Sequence, residues 1–214
     1  IGIIKTDRPV GLIGVPMQAR SEETRKKIIE EAERLFSQSG YDATGVAEIC
    51  QAASISKGAF YHHFPSKHAV FMQLLEKWLV PMDENFQLVR QRAPDVPSAL
   101  IEMAGLLDKV FLYAGERLPI FLEFWTQAHR DPEIWQITIA PYRRYQEFFA
   151  GLIREGIEEG SVRPVNPDAT ARVLIALALG LLLQSVLDPQ GAPWGRFVQD
   201  SIRNYLDVNL RRSS

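Results

Sequence analysis

Apolar residues along this chain recur at helical spacing almost everywhere, and no segment alternates convincingly in the two-residue rhythm of a strand. Ile28, Ala32, Leu35 and Phe36 share one face of a first helix that Ser21 can cap and Gly40 can end. Thr44 can cap a short second helix running through Ile49 to about Ala52, and Ser56 a third running to about His63. Pro65-Ser66 then separates this trio from a long helix beginning near Lys67, which Pro81 should bend or stop because proline lacks the amide that the helical ladder needs. After the linker "RAPDVPS", helices are predicted over roughly 98–114, 119–130, 133–159, 167–187 and 195–210, with Pro141 kinking the third of these. The chain is therefore expected to be all-α with about nine helices: a three-helix unit over residues 17–66 and a larger helical domain over 67–214. Residues 1–16 lack the order of a signal peptide and read as a flexible extension before a candidate start at Met17.

Composition narrows the partners. At 214 residues and 46 % apolar the chain can bury a sizeable core, and its single cysteine, Cys50, precludes an internal disulfide and fits a reducing, cytoplasmic setting. The longest apolar run, Val173 to Leu183, falls short of the about 20 residues that span a bilayer, so no membrane partner is expected. A net charge of −2 excludes coating an anionic partner by bulk charge, so such a partner must be met locally. Ile49 to Leu75 contains no acid and holds three of the four histidines, while Glu22, Glu23, Glu30, Glu31 and Glu33 crowd the first helix.

Two short helices joined by a tight turn make a helix-turn-helix, whose second helix enters the major groove of double-stranded DNA with its first residues at the base edges. Ser56, Lys57, Gly58 and Ala59 open that helix with a cap, a long donor and two small residues, while Phe60 and Phe64 face inward. Lys57, Tyr61, His62, His63 and Lys67 offer donors to phosphate oxygens. Adjacent histidines on a helix diverge by about 100°, which disfavours a metal site from His62, His63, His68 and Cys50.

Residues Thr24 to Phe71 are similar to the DNA-binding domain of the tetracycline-repressor (TetR) family of bacterial regulators. The resemblance is carried by Ala32, Leu35-Phe36, Gly40-Tyr41, Thr44, Val46, Ile49, Ala53, Ile55-Ser56, Gly58, Phe60-Tyr61, His63-Phe64 and Lys67. It implies base contacts for Lys57, Gly58 and Ala59, and phosphate contacts for Thr44, Tyr61, His63 and Lys67. Gly45 stands within the DNA-binding set where the family usually has a second threonine, Cys50 where it has alanine, and Ser54 where its inter-helix turn has glycine; Ala47 takes a place often held by a polar or basic residue.

Ten of the 21 aromatic residues fall between Phe111 and Phe149. The resemblance implies a small-molecule effector inside the C-terminal domain, and pockets of that kind are mostly apolar. The expected lining is Phe111, Phe121, Trp125, Tyr142 and Tyr145, with Trp78, Met82 and Phe86 from the long helix and Gln127 or Gln184 at a polar end. The effector should thus be apolar or aromatic, and the helix from Lys67 to Val80 the lever between sites. Phe197, Ile202, Tyr205 and Leu206 form a stripe on the last helix, and Ile175, Leu179 and Leu182 lie on the apolar helix before it; together they suit a two-fold homodimer interface.

The resulting expectation is a DNA-binding transcriptional regulator without cofactor, a homodimeric repressor released from a palindromic operator by its effector. A ligand-responsive activator would carry the same residues. A helical enzyme or carrier with a vestigial DNA unit is the competing class. No nucleophile–base pair or Gly-rich phosphate loop supports it, and Glu102, Asp108 and Glu123 read more simply as solvated carboxylates.

Overall fold

The computed structural model describes residues 17–211, so the expectation for residues 1–16 lies outside the described residues. Eleven helices follow in order: α1 Met17–Ser39, α2 Val46–Ala53, α3 Lys57–His63, α4 Lys67–Arg92, α5 Val96–Leu106, α6 Asp108–Leu112, α7 Ala114–Ala128, α8 Pro132–Thr138, α9 Ala140–Glu158, α10 Pro167–Leu187 and α11 Trp194–Asn209. Among the described residues the sole β feature is an isolated bridge between Val162 and Arg211.

The N-terminal elements follow their local signals, with adjustments at the caps. Ser21 lies inside α1, not at its start. Gly40 ends α1 with φ +85°, a conformation that favours glycine, and a Cβ there would also stand 2.8 Å from the Glu123 carboxylate. Gly45, not Thr44, caps α2, its amide donating to Glu48 Oε2 at 2.7 Å. At the other end of α2, Ser54 donates to the Gln51 carbonyl and Ile55 to that of Cys50, the pair of bonds that closes a Schellman turn. That turn holds Ser54 at φ 55°. Ser54→Gly should relieve the left-handed strain and stabilise the fold by about 0.5–1 kcal/mol, read as a higher urea midpoint; a lower midpoint would refute this account of the turn.

Prolines behave differently by position. α4 runs through Pro81 to Arg92, so the expected stop is overridden; the Asn85 side-chain amide donates to the Pro81 carbonyl at 2.6 Å. Pro119 also sits inside a helix, α7, instead of opening it. Pro141 does interrupt: the expected single helix over 133–159 divides into α8 and α9, and Pro141 takes the first turn of α9, where its missing amide costs nothing. The segment expected over 98–114 likewise divides into α5 and α6.

Two apolar cores result. One is built from Ile28, Phe36, Tyr41, Ile49, Phe60, Phe71 and Leu74, and it also takes in Ile120, Phe124 and Ala128 of α7. The other is built from α4, α5 and α9 to α11 around Phe86, Met103, Ile153, Val198 and Leu206. Arg90 closes this second core from α4, donating to Glu155 of α9 at 2.6 Å and to Glu159, the residue after that helix, at 2.9 Å. The 21-residue α10, whose most apolar 18-residue window has mean hydropathy 1.9, is long and apolar enough to cross a membrane by length and composition alone, a test that the core helix of a soluble protein also meets. A third of that apolar window is buried within the chain.

Candidate functional site

α3 is held against α2 by Ile49, Ala53 and Phe60, all fully buried, so the opposite face of α3 is the one left outside. Lys57, Gly58, Tyr61 and His62 are exposed there, and Ala59 and His63 half-buried. Ser56 is exposed too and caps the helix, its Oγ accepting from the Ala59 amide at 3.1 Å. Nothing inside the molecule requires a glycine at position 58: its φ is ordinary, and a Cβ would meet only Ser56 Oγ, at 3.7 Å. A helical glycine costs about 1 kcal/mol against alanine, and no neighbour among the described residues accounts for that cost at Gly58. Exposed Gly45 has the same open surroundings. Arg25 of α1 stacks its guanidinium over the Phe64 ring at 5.1 Å and adds a cation to this rim; no local motif marks it in the sequence.

Two residues assigned to phosphate contact sit elsewhere. Thr44 is 1 % exposed and donates its hydroxyl to the Gly40 carbonyl at 2.8 Å. Lys67 donates to the carbonyls of Tyr41 and Thr44 at 2.7 and 2.9 Å and lies over the Tyr41 ring. The Thr44 bond closes the α1–α2 loop on itself, and the Lys67 bonds fasten that loop to α4.

A cavity of about 290 Å³ opens between α4, α5, α7, α9 and α10. Met82, Phe86, Phe111, Phe121, Trp125, Tyr142 and Tyr145 line it as expected from sequence, and Leu75, Leu79, Thr138, Pro141, Phe149 and Leu174 join them. No charged side chain lines it among the described residues. Tyr145 is oriented by Asp83, to which its hydroxyl donates at 2.5 Å, while Arg144 holds Asp83 at 2.8 Å and Glu76 at 3.3 Å. Burial, followed by the Asp83 hydrogen bond, pushes the Tyr145 phenol well above its usual range, so it stays a donor.

Three expected lining residues are not there. The Trp78 indole N–H donates to Glu33 of α1 at 2.9 Å, and Arg117 of α7 stacks over its ring at 4.8 Å, so Trp78 joins α1, α4 and α7 at the junction of the two cores. Gln127 donates to Asp42 in the α1–α2 loop, and Gln184 is exposed on α10. The expected dimer stripe also divides. Ile175, Leu179, Leu182 and Ile202 line the cavity, Leu206 is fully buried in the core, and Tyr205 packs partly against it. The apolar side chains left outside are Val173, Leu183 and Leu187 of α10 with Phe197 and Val208 of α11, while Leu179 both borders the cavity and is exposed.

α7 faces both sites. Its Phe121 and Trp125 line the cavity, while its Phe124 stacks on Phe71 at 4.0 Å and meets Tyr41 edge-on at 5.2 Å inside the N-terminal core. Glu123 accepts the Asp42 amide at 3.1 Å and so fixes α7 to the loop before α2. α4 also spans both, running from Lys67 past Leu75, Leu79 and Met82 on the cavity wall. The sequence reading named α4 and missed α7, whose two apolar rows, 120–124–128 and 121–125, were the available signal.

His68 sits between Tyr41 and Phe124 with its Nε2 buried and without a partner among the described residues. Burial, then the Lys67 ammonium, hold the imidazole below its ordinary 6.5, against an opposing pull from Asp131. The unfolded chain thus binds this proton more readily than the fold, and stability drops as pH falls below about 6.5. The urea midpoint of the wild type should decline between pH 7 and 5, and less steeply in His68→Phe; parallel declines would remove His68 as a cause.

Residues 28–74 match the family described as bacterial regulatory proteins, tetR family, and residues 114–211 match the BetI-type transcriptional repressor, C-terminal family. The HTH-type transcriptional regulator UidR of Escherichia coli is 27 % identical over 172 residues, 78 % of this chain and 83 % of that protein. The HTH-type transcriptional repressor DhaR of Mycobacterium sp. is 27 % identical over 184 residues, 81 % of this chain and 88 % of that one. Among solved structures, a transcriptional regulator from Saccharomonospora viridis in complex with choline superposes with TM-score 0.70 over 90 % of this chain and all of that one, at 22 % identity, a likeness of fold. With its N-terminal helical unit and its C-terminal half each matched to regulators of one kind, and its fold shared with their solved members, the chain belongs to the TetR family of transcriptional regulators.

Proposed function

We propose that this regulator is a homodimeric cytoplasmic repressor that binds a palindromic operator through residues 17–66 and is released when residues 67–214 take up a small apolar effector. The observation that carries the reading is the double engagement of α7 and α4, which wall the cavity and pack into the core behind α3. A ligand lowers DNA affinity only if it prefers a conformation in which the recognition helices are misplaced, and a coupling of about 1–3 kcal/mol is typical. Any repositioning of Phe121 and Trp125 around a ligand is shared by Phe124 on the same helix. DNA contact falls to Gly45, Ser56, Lys57, Gly58, Ala59, Tyr61, His62 and His63, the exposed and half-exposed members of the expected set apart from Lys67, whose ammonium is taken by the Tyr41 and Thr44 carbonyls.

The exposed α10–α11 face supports the two-fold partner. Val173, Ala176, Leu183 and Leu187 recur at helical spacing with Gly180, where a Cβ would meet only open space. An apolar stripe with a gap for close helix approach suits its own copy across a two-fold axis. Repression, in preference to activation, follows the repressors among its relatives. Fluorescence anisotropy on DNA upstream of its own gene and on scrambled DNA, at two salt concentrations, tests the reading. Selective, salt-sensitive binding is expected; equal binding to both DNAs would count against sequence readout.

A further inference from the structure

Arg25 of α1 lies at the far end of α3 and outside the expected DNA-binding set. Its guanidinium stacks over the ring of Phe64, the residue that ends α3, at 5.1 Å, and it donates to the Gln73 side chain of α4. Phe64 in turn packs on Phe60 inside the N-terminal core, with ring centroids 6.2 Å apart. Neutral partners therefore hold the group in place without cancelling its charge. Arg25 is exposed, forms no ion pair among the described residues, and has one of the guanidinium's five donors bonded there. Glu30, in the groove beside it, pairs instead with Lys26 at 3.7 Å.

The length of α3 says what such a cation would meet. Its seven residues span about 10 Å, and the major groove is about 12 Å wide. A helix of that length with its first residues at base edges carries its last ones to the sugar–phosphate wall. His63 stands at that end, half-buried, and burial, then His62, then the Arg25 charge hold its imidazole below its ordinary 6.5. His63 is thus a neutral hydrogen-bonding group at neutral pH, and the fixed positive charge beside it comes from Arg25. Resting on the operator reading above, we propose that Arg25 is a phosphate-binding residue of the DNA interface, taking the backbone phosphate at the end of α3 and so tying α1 as well as α3 to the operator. Already held by Phe64 and Gln73, the planar guanidinium loses little freedom when it binds.

Anisotropy titrations of the full chain with duplex DNA from upstream of its own gene, repeated across a series of potassium chloride concentrations, test the assignment. Arg25→Ala should weaken binding by about ten- to hundred-fold at low salt. The slope of log affinity against log salt should flatten by about two, one phosphate for each protomer of a dimer. Operator point variants and scrambled DNA should lose affinity alike, because a phosphate contact carries no sequence information. Arg25→Lys, which keeps the charge, should recover most of the slope; Arg25→Gln should flatten it as alanine does and serves if the alanine variant is unstable. Lys26→Ala removes an equal charge one residue along and should leave the slope unmoved. If Arg25 only pinned α3 against α4, Arg25→Ala and Gln73→Ala would both lower affinity and thermal midpoint at an unchanged slope, and that result would overturn the proposal. Equal flattening in Lys26→Ala would overturn it too, by assigning the slope to overall charge. Wild type that bound neither this DNA nor any site selected from random duplex would remove the operator reading itself, a failure distinct from an unchanged slope in a wild type that binds.

Discussion

Lys57→Ala combined with Tyr61→Ala should weaken operator binding by about 10²–10⁴-fold while leaving the thermal midpoint almost unmoved. Both side chains are exposed, Tyr61 by 55 %, and neither belongs to the buried core, so their removal is expected to change stability by no more than about 0.5 kcal/mol. A side chain that reads a base edge contributes about 1–3 kcal/mol, and a dimer presents each such side chain twice. The single variants separate the roles. Lys57→Ala should relax discrimination between operator variants, whereas Tyr61→Phe should weaken all sequences alike, as expected for a phosphate contact. Anisotropy on one operator and its point variants reads both effects. A double variant that retained affinity would place the DNA contact away from α3.

Phe124→Ala should cost about 3–5 kcal/mol, a large share of the about 5–15 kcal/mol by which domains are held folded. Phe124 is fully buried, stacked on Phe71, and shares His68 and Tyr41 as neighbours. Its removal leaves a void where α7 enters the N-terminal core, so the chain should unfold about 6–20 °C lower in a circular-dichroism melt. DNA affinity should fall with it even where the protein remains folded, because the loop before α2 is held by Glu123 from the same helix. A variant with normal affinity and a normal melt would show that α7 does not support the DNA-binding unit.

The N-terminal unit was the most legible part of the chain because its signals are local. Ser56 as a cap, Gly40 as an α1 terminator, and the inward Phe60 and Phe64 depend on neighbours within a few residues. Assignments that depend on distant partners fared differently. Trp78 and Gln127 read as cavity residues by type and position, yet each finds its partner 45 and 85 residues away, in Glu33 and Asp42. Periodicity on α11 correctly marks an apolar stripe, but it does not say which surface covers it; Ile202 and Leu206 turn inward against the chain's own core, and Phe197 is left outside. Thr44 and Lys67 illustrate the same limit for residues carried over from a family pattern, since a hydroxyl or ammonium that suits a phosphate equally suits a backbone carbonyl. Proline was read too strictly: a helix that buries Phe86 and Val89 beyond Pro81 gains more from packing than it loses in one hydrogen bond.

The most direct test of a dimeric sequence reader is selection of binding sites from random double-stranded DNA by the purified protein, followed by footprinting of the enriched sites. An inverted repeat is expected, with half-site centres one helical turn, about 34–36 Å, or a multiple of it apart. Enrichment of asymmetric single sites, or no enrichment at all, would contradict the account.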